Sequence, residues 1–314
     1  MRFLFVMDPA ETMHPSKDTT FAFLRASGRR GHRSFHCLPR HLSNEGRSVR
    51  AHARPIRVSD AEPHVALGDE ETLELEALDA VFVRKDPPFD TAYLHLTHQL
   101  ELVKDRVLVV NDPSGIRDAN EKLFAFQFSE WMPRSLVTSR PADVIAFVGT
   151  VGGQAVLKPI DGAGGAGVVV LRSDDRNTRS LADVWTDEGK RLALVQEYEP
   201  KVRVGDKRVI VLDGAPLGAI LRVPREDDVR ANIHAGGEVK PTELTPRESE
   251  LVAAVGPKLS AHGLWFVGLD LIGERLIEVN VTSPTGIQEL SRFAGRPVEE
   301  DVIAWVETRA AAKK

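Results

Sequence analysis

Three features of the sequence predict a mixed α/β (α+β) protein built on an N-terminal parallel sheet. Residues 1 to about 115 alternate short apolar runs with helical stretches, the pattern of an open parallel sheet. From Asp118 the signals become mostly β. Late in the chain, Gly268-Leu-Asp270-Leu-Ile-Gly-Glu-Arg-Leu-Ile-Glu278-Val-Asn280 reads as a two-stranded ribbon turning at residues 273–275. A length of 314 residues allows two or three subdomains around a sizeable core. The 28% charged and 42% hydrophobic fractions are those of an ordinary soluble enzyme. A net charge of −5 gives no support to nucleic-acid or membrane partners. Cys37 is the one cysteine, so no internal disulfide framework exists and a reducing cytoplasm is expected.

The elements follow in order. Residues 3–7 form a first buried strand, too short for a signal-peptide core or a membrane span. Ser16 and Asp18 offer N-cap side chains for a helix that ends near residues 28–31. Residues 40–75 are polar and are expected to be irregular. Their basic run, 47–57, reads as a solvated loop with a strand rather than a polyanion patch, because no aromatic residues interleave. Strands at 81–83 and 107–111 complete the first sheet, and Asn120 opens a helix. Strands at 155–159 and 168–171 flank a glycine loop. A helix at 178–186 leads to a strand at 193–198. Strands at 208–212 and 215–221 are joined by Asp213-Gly214, a type I′ hairpin signal. Residues 223–237 are polar and glycine-bearing and are expected to be mobile. Residues 246–261 are helical, and a last helix starts near Pro297.

Two motifs carry chemistry. Glu278 and Asn280 are two apart on a strand and share a face. A turn of odd length at 273–275 pairs Asp270 with Glu278 on that face, whereas a two-residue turn sends Asp270 to the other side. Oxygen-bearing side chains among Leu269, Leu271, Ile277 and Val279 are costly to bury unless a partner compensates them. A hard cation such as Mg²⁺ is such a partner; a surface hairpin with hydrated acids is the competing reading. The second motif is Lys158-Pro-Ile-Asp-Gly162-Ala-Gly164-Gly165-Ala-Gly167. Its G-x-G-x-x-G spacing precedes Val168-Val-Val-Leu171, a strand rather than the helix a dinucleotide fold needs. A glycine loop between two strands can close over phosphates through backbone N–H groups, with Lys158 adding a point charge.

Together these residues resemble the ATP-grasp ligases, and more closely the bacterial glutathione synthetases over almost the whole chain. The resemblance rests on Val6-Met-Asp-Pro9, Lys17-Asp-Thr-Thr-Phe21, Arg84-Lys-Asp-Pro-Pro-Phe-Asp90 and Arg117-Asp-Ala-Asn-Glu-Lys-Leu123. It continues with Leu157-Lys-Pro159, Gln196-Glu-Tyr198, Gly205-Asp-Lys-Arg208, Phe266-Val-Gly-Leu-Asp270 and Glu278-Val-Asn-Val-Thr-Ser-Pro-Thr285. It implies an ATP-grasp fold with an N-terminal parallel-sheet (pre-ATP-grasp) substrate domain at 1–118. A central lid subdomain at 119–200 and a C-terminal subdomain at 201–314, with a flexible loop at 223–237, would complete it. The implied reaction is ATP-dependent joining of γ-glutamylcysteine and glycine in glutathione biosynthesis. ATP and Mg²⁺ are the expected cofactors, with two ions or Mn²⁺ as variants.

The resemblance also implies roles. Lys122 and Lys158 meet phosphates under the flap of Gly162, Gly164 and Gly165. Gln196, Glu197, Tyr198 and Glu199 meet adenine, and Asp206 the ribose or a substrate. Asp270, Glu278 and Asn280 hold metal. Arg208 and Arg222 fall near the same end of the hairpin turned at 213–214 and are assigned to the transferred phosphoryl group and the acyl oxyanion, with ordinary surface cations as the competing reading. From the residues themselves, Arg84 in its Arg-Lys-Asp-Pro-Pro run is a candidate for a substrate carboxylate, with a rigid proline turn and solvated charge as the competing reading. Ser283 and Thr285 either bind another carboxylate or simply cap the helix after Pro284. Gln288 stands where the family pattern leads one to expect arginine, and Ala231 and His234 depart from the usual lid. A cytoplasmic homo-oligomer, a tetramer by resemblance, is expected. A different ATP-grasp carboxylate–amine ligase and a non-catalytic ATP-binding protein are the alternatives.

Overall fold

The computed structural model describes residues 1–162, 164–224 and 238–313. Three sheets organise it. In the first, strands Arg33–Cys37, Arg2–Met7, Ala80–Arg84 and Leu108–Val110 run parallel in that spatial order. Phe3, Leu4, Phe5 and Val6 are all fully buried, as expected of a parallel strand covered on both faces. Helix Thr19–Arg29 starts where Asp18 accepts hydrogen bonds from the Thr20 and Phe21 amides, so its predicted cap holds. Residues 40–75, expected to be irregular, are instead largely sheet. Strand Ser48–Val58 runs antiparallel to Arg33–Cys37 and also pairs with Leu42–Glu45, Val65–Leu67 and Glu71–Glu74. Val49, Ala51 and Ala53 point inward, while Arg50, His52 and Arg54 are exposed. Arg50 meets Glu74 at 2.6 Å across the sheet, so the basic run is one solvated face with acidic neighbours.

The second sheet is antiparallel, in the order Val169–Arg172, Gln154–Pro159, Ala193–Glu197, Ser135–Thr138. Helices Pro141–Thr150 and Thr178–Trp185 cover one face through Val144, Val148 and Ala182. The segment after Asn120 is not the α-helix expected. Asn120 caps it, accepting from the Lys122 and Leu123 amides, but Phe124–Trp131 is 3₁₀ turn broken at Phe128. Phe124, Ala125 and Phe128 reach the third core by this route.

The third sheet is antiparallel throughout, in the order Glu238–Thr242, Ala215–Val223, Asp206–Leu212, Phe266–Ile272, Arg275–Asn280. Asp213 and Gly214 turn with φ of 47° and 79°, the type I′ geometry expected of that dipeptide. Helix Pro246–Ala261 backs this sheet and opens on a capping box of Thr245 and Glu248. Asn111, at the end of the first sheet, fixes the two halves together. Its amide donates to the Phe266 and Val281 carbonyls and its oxygen accepts from the Phe266 amide. The last helix, Glu299–Ala311, returns to the N-terminal half, where Val302, Ile303 and Val306 share a core with Phe3 and Phe21. Among the described residues no helix is long and apolar enough to cross a membrane.

Candidate active site

The site begins at the late ribbon. Its turn is two residues, Gly273 and Glu274 with φ of 57° and 67°, not the odd-length turn expected. Ile272 pairs with Arg275 and Leu271 with Leu276, yet Asp270 pairs with Glu278. Ile277 is therefore an extra residue, a β-bulge. Without it Glu278 would face the far side; with it the two carboxylates stand opposite each other on one face. Asn280 pairs with Gly268 and donates its side-chain amide to Asp270 at 3.2 Å.

Behind these acids lies a buried ionic network. Arg208 grips Asp270 with two hydrogen bonds, of 2.5 and 2.9 Å. Arg222 reaches Asp206 at 2.5 Å and Asp270 at 3.0 Å. Both arginines lie at the same end of their hairpin, because Asp206 is opposite Arg222 in the ladder. Burial alone would raise the Asp270 carboxyl, but the charges of Arg208 and Arg222 outweigh it and hold it well below the usual range. Asp206 has one such neighbour close by, so burial dominates and pushes it up to about 6. Its Oδ1 is buried without a hydrogen-bond partner among the described residues.

That difference gives a pH prediction. A native carboxyl that keeps its proton to about pH 6, against ~3.9 when unfolded, stabilises the fold below the lower value. The contribution is lost as pH rises through the upper one. Asp206→Asn removes the titration, so its melting temperature relative to the parent should climb between about pH 4.5 and 7. An unchanged difference across that range refutes the shifted carboxyl.

Opposite the ribbon stands the second sheet. The two sheets bound a cleft. Lys122, Lys158, Gly162, Gly164, Gly165, Gln196, Glu197, Tyr198, Glu199, Asp206, Asp270 and Glu278 all line it, among apolar walls from Val156, Val170, Ile272 and Ile277. Lys122 pairs with Glu278 at 3.0 Å and donates to the Gly162 carbonyl, tying the root of the glycine flap to the ribbon. Lys158 donates to Gln196 at 2.9 Å, and burial lowers its pKa. Arg208, Arg222 and Asn280 sit behind the acids rather than in the wall.

The donor set of Asp270, Glu278 and Asn280 is oxygen-only, two carboxylates and an amide. That is the chemistry of a hard divalent cation and fits Mg²⁺. Among the described residues no group of three His, Cys, Asp or Glu is placed to hold a metal, so the amide is needed as third donor.

Arg84 is placed differently from expectation. It is 5% exposed and lines neither this cleft nor the one beside it. It donates to Thr20 Oγ1 and the Pro284 carbonyl, and lies against the Phe23 and Phe266 rings at 5.6 and 5.8 Å. Arg208 donates to the next carbonyl, that of Thr285. The turn carrying the part-buried Ser283 and Thr285 is thus held by two arginines. Gln288 is buried and donates to the Asp18 carbonyl at 2.6 Å, joining helix Ile287–Ala294 to the first helix. Glu121 was not anticipated as a site residue. Its Oε1 accepts from the Val281 and Thr282 amides and the Thr282 hydroxyl, tying the end of the ribbon to the turn that carries Lys122. Its place beside Lys122 in the Asn-Glu-Lys run was the available signal. Of the predicted lid, Arg230, Ala231, Asn232, His234, Gly236 and Gly237 lie outside the described residues.

The N-terminal domain of prokaryotic glutathione synthetase matches residues 1–117, and the ATP-grasp domain of the same family matches residues 121–295. The chain is 42% identical to a glutathione synthetase of Agrobacterium fabrum over 93% of its own length and 92% of the relative's. It is 41% identical to that of Gloeobacter violaceus over 98% and 96%. Among solved structures, the D-cycloserine synthetase DcsG superposes with a TM-score of 0.64 at 15% identity, covering 100% of both chains. The ATP-grasp ligase PsnB, in complex with precursor peptide PsnA2 and AMPPNP, superposes at 0.63 and 16%, covering 98% and 97%. These two likenesses show the ATP-grasp fold, and the closer sequence relatives show the rest: the chain belongs to the prokaryotic glutathione synthetase family of ATP-dependent ligases.

Proposed function

We propose that the cleft joins γ-glutamylcysteine to glycine at the expense of ATP, giving glutathione, ADP and phosphate through an acyl phosphate. A carboxylate does not react with an amine at neutral pH because its oxygen is a poor leaving group. Phosphorylation of that oxygen removes the obstacle. One observation carries the reading: Asp270 and Glu278 stand paired in a cleft that also receives Lys122, Lys158 and the glycine flap.

The adenine would lie between the two sheets, on Val156 and Val170 from one side and Ile272 and Ile277 from the other. Gln196 to Glu199 border that space, and Asp206, also on its wall, would meet the ribose. Lys122, Lys158 and backbone N–H groups of Gly162, Gly164 and Gly165 take the phosphates. Asp270, Glu278 and Asn280 would hold one or two Mg²⁺ ions, or Mn²⁺ in their place. Such ions supply neutralising charge at the phosphate oxygens. Arg208 and Arg222 set the charge of this corner and stabilise the transferred group and the acyl oxyanion. Ser283 and Thr285 face the donor's carboxylates, with Arg84 acting on them by positioning their turn. Exclusion of water from the acyl phosphate falls to the flap and to residues 223–237. Closure would move 119–200 against 1–118 and 201–314. Cytoplasmic location and homo-oligomeric assembly belong to the same inference, supported by family membership.

A phosphate-release assay with each substrate omitted in turn tests the reading. Release should require both γ-glutamylcysteine and glycine. Release that ignores both, or none when all components are present, overturns it.

A further inference from the structure

Strands Gln154–Pro159, Ala193–Glu197 and Ser135–Thr138 lie side by side in the second sheet, and a row of polar side chains crosses them. Ser135 stands opposite Gln196. Lys158 stands opposite Leu194, two residues before Gln196. Side chains two apart on a strand share a face, so Ser135, Gln196 and Lys158 project from the same side. Lys158 and Gln196 line the cleft from that side, and Ser135 lies behind them.

The hydrogen bonds along this row run in one direction. The Ser135 hydroxyl donates to the Pro133 carbonyl at 2.8 Å. A hydroxyl carries a single hydrogen, so towards Gln196 its oxygen can only accept. It accepts from Gln196 Nε2 at 3.0 Å. That turns the other end of the amide, Oε1, to the Lys158 ammonium, which donates to it at 2.9 Å. An ammonium has donors and no acceptor. The reversed amide would therefore set donor against donor at Lys158 and acceptor against acceptor at Ser135. Gln196 is 2% exposed, so mismatches at both ends would go uncompensated by water. The committed hydroxyl of Ser135 thus selects the one amide orientation that offers Lys158 an oxygen.

We propose that Ser135 is a positioning residue for the nucleotide: its hydroxyl orients the Gln196 amide, and the amide oxygen holds the Lys158 ammonium where the phosphates arrive. The proposal rests on the ATP-binding part of the ligase reading above and adds a residue outside the cleft wall that acts on it through another. The strand does not need this hydroxyl to stay in place. Residues 135–138 pair with 196–193 through backbone groups, so its removal leaves the sheet in register.

Equilibrium ATP affinity and the KM for ATP, measured on the full chain with Mg²⁺, test this. Ser135→Ala should weaken ATP about 3- to 10-fold, the scale of one hydrogen bond. The KM values for γ-glutamylcysteine and glycine should stay within about 2-fold. Ser135→Thr keeps a hydroxyl and should restore most of the affinity. Adenosine, which carries no phosphate, should inhibit the parent and Ser135→Ala equally well. Gln196→Met removes both ends of the amide and should weaken ATP about 10- to 100-fold, the scale of a hydrogen bond to a charged group. Adding Ser135→Ala to Gln196→Met should then change nothing further, because the hydroxyl has lost the group it acts through. Should Ser135→Ala fail to fold, Ser135→Val against Ser135→Thr makes the same comparison at equal size. A full additional loss in the double variant, a Ser135→Thr chain as weak as Ser135→Ala, or equal losses for ATP and adenosine overturns the assignment. ATP affinity is read without ligation, so the two readings fail separately. A parent that binds ATP but joins no substrates sinks the ligase reading, whereas unchanged ATP affinity in Ser135→Ala sinks this proposal alone.

Discussion

Glu278→Gln is expected to lower turnover by about 10²- to 10³-fold or more while leaving the protein folded. The substitution is isosteric and keeps one oxygen, so the ribbon can retain its ladder opposite Asp270. What disappears is a negative charge, needed at once for a divalent cation and for Lys122 at 3.0 Å. Lys122 is 7% and Glu278 23% exposed, and Lys122 keeps the Gly162 carbonyl as an acceptor, so losing the pair should cost about 1–3 kcal/mol of stability. Phosphate release and a thermal melt on the same preparation separate the two effects. Turnover close to that of the parent would remove the metal assignment. A large fall in melting temperature would give Glu278 a structural task instead.

Arg222→Met should be the most damaging single change to the fold among the site residues. Asp270 keeps its two hydrogen bonds to Arg208, but Asp206 loses the one ion-pair partner it has among the described residues. Removing one member of a buried pair costs about 3–5 kcal/mol, because the charge left behind is uncompensated. The sign of the pH dependence follows. Asp206 is already pushed up to about 6 with Arg222 beside it, and must rise further without it. Below that pKa the acid is neutral and the loss is small; above it the charge must be carried or the fold weakened. Urea melts at about pH 5 and pH 8 should show the larger deficit at pH 8. Turnover should fall at both, since the missing guanidinium also served the transferred group. A deficit that is equal at the two pH values would mean that Asp206 is not the residue left exposed to the loss.

Much of this architecture was legible because its signals are local. The cap of the helix Pro246–Ala261 is written in Thr245 and Glu248, and the Asp213-Gly214 turn in two residues. The glycine flap was placed between two strands by the β-branched run after it, and it lies there. Residues 40–75 were misread because two successive inward positions of the long strand, Ala51 and Ala53, are small; the alternation from Val49 to Ala53 is real but weakly hydrophobic. The ribbon shows a correct outcome reached by a different route. A three-residue turn was expected to align Asp270 with Glu278, and a two-residue turn with a bulge at Ile277 does it instead. Arg84 could not be placed from its neighbours in sequence. Phe23, Phe266 and the Pro284 carbonyl, which enclose it, come from far along the chain. The ionic network has the same origin: Asp206, Arg208, Arg222 and Asp270 meet only because three strands lie in register.

The final helix has a bearing on how the chain is made. Glu299–Ala311 seals one face of the N-terminal sheet and pairs with the first helix, Glu299 meeting Arg25 at 3.1 Å and Glu307 meeting Arg30 at 2.5 Å. A ribosome adds roughly 5–20 residues per second, so Phe3 and Phe21 wait many seconds for Val302 and Ile303 to emerge. Until then that greasy surface is open to chaperones, and a nascent chain stalled a few dozen residues short of Ala311 would remain their client.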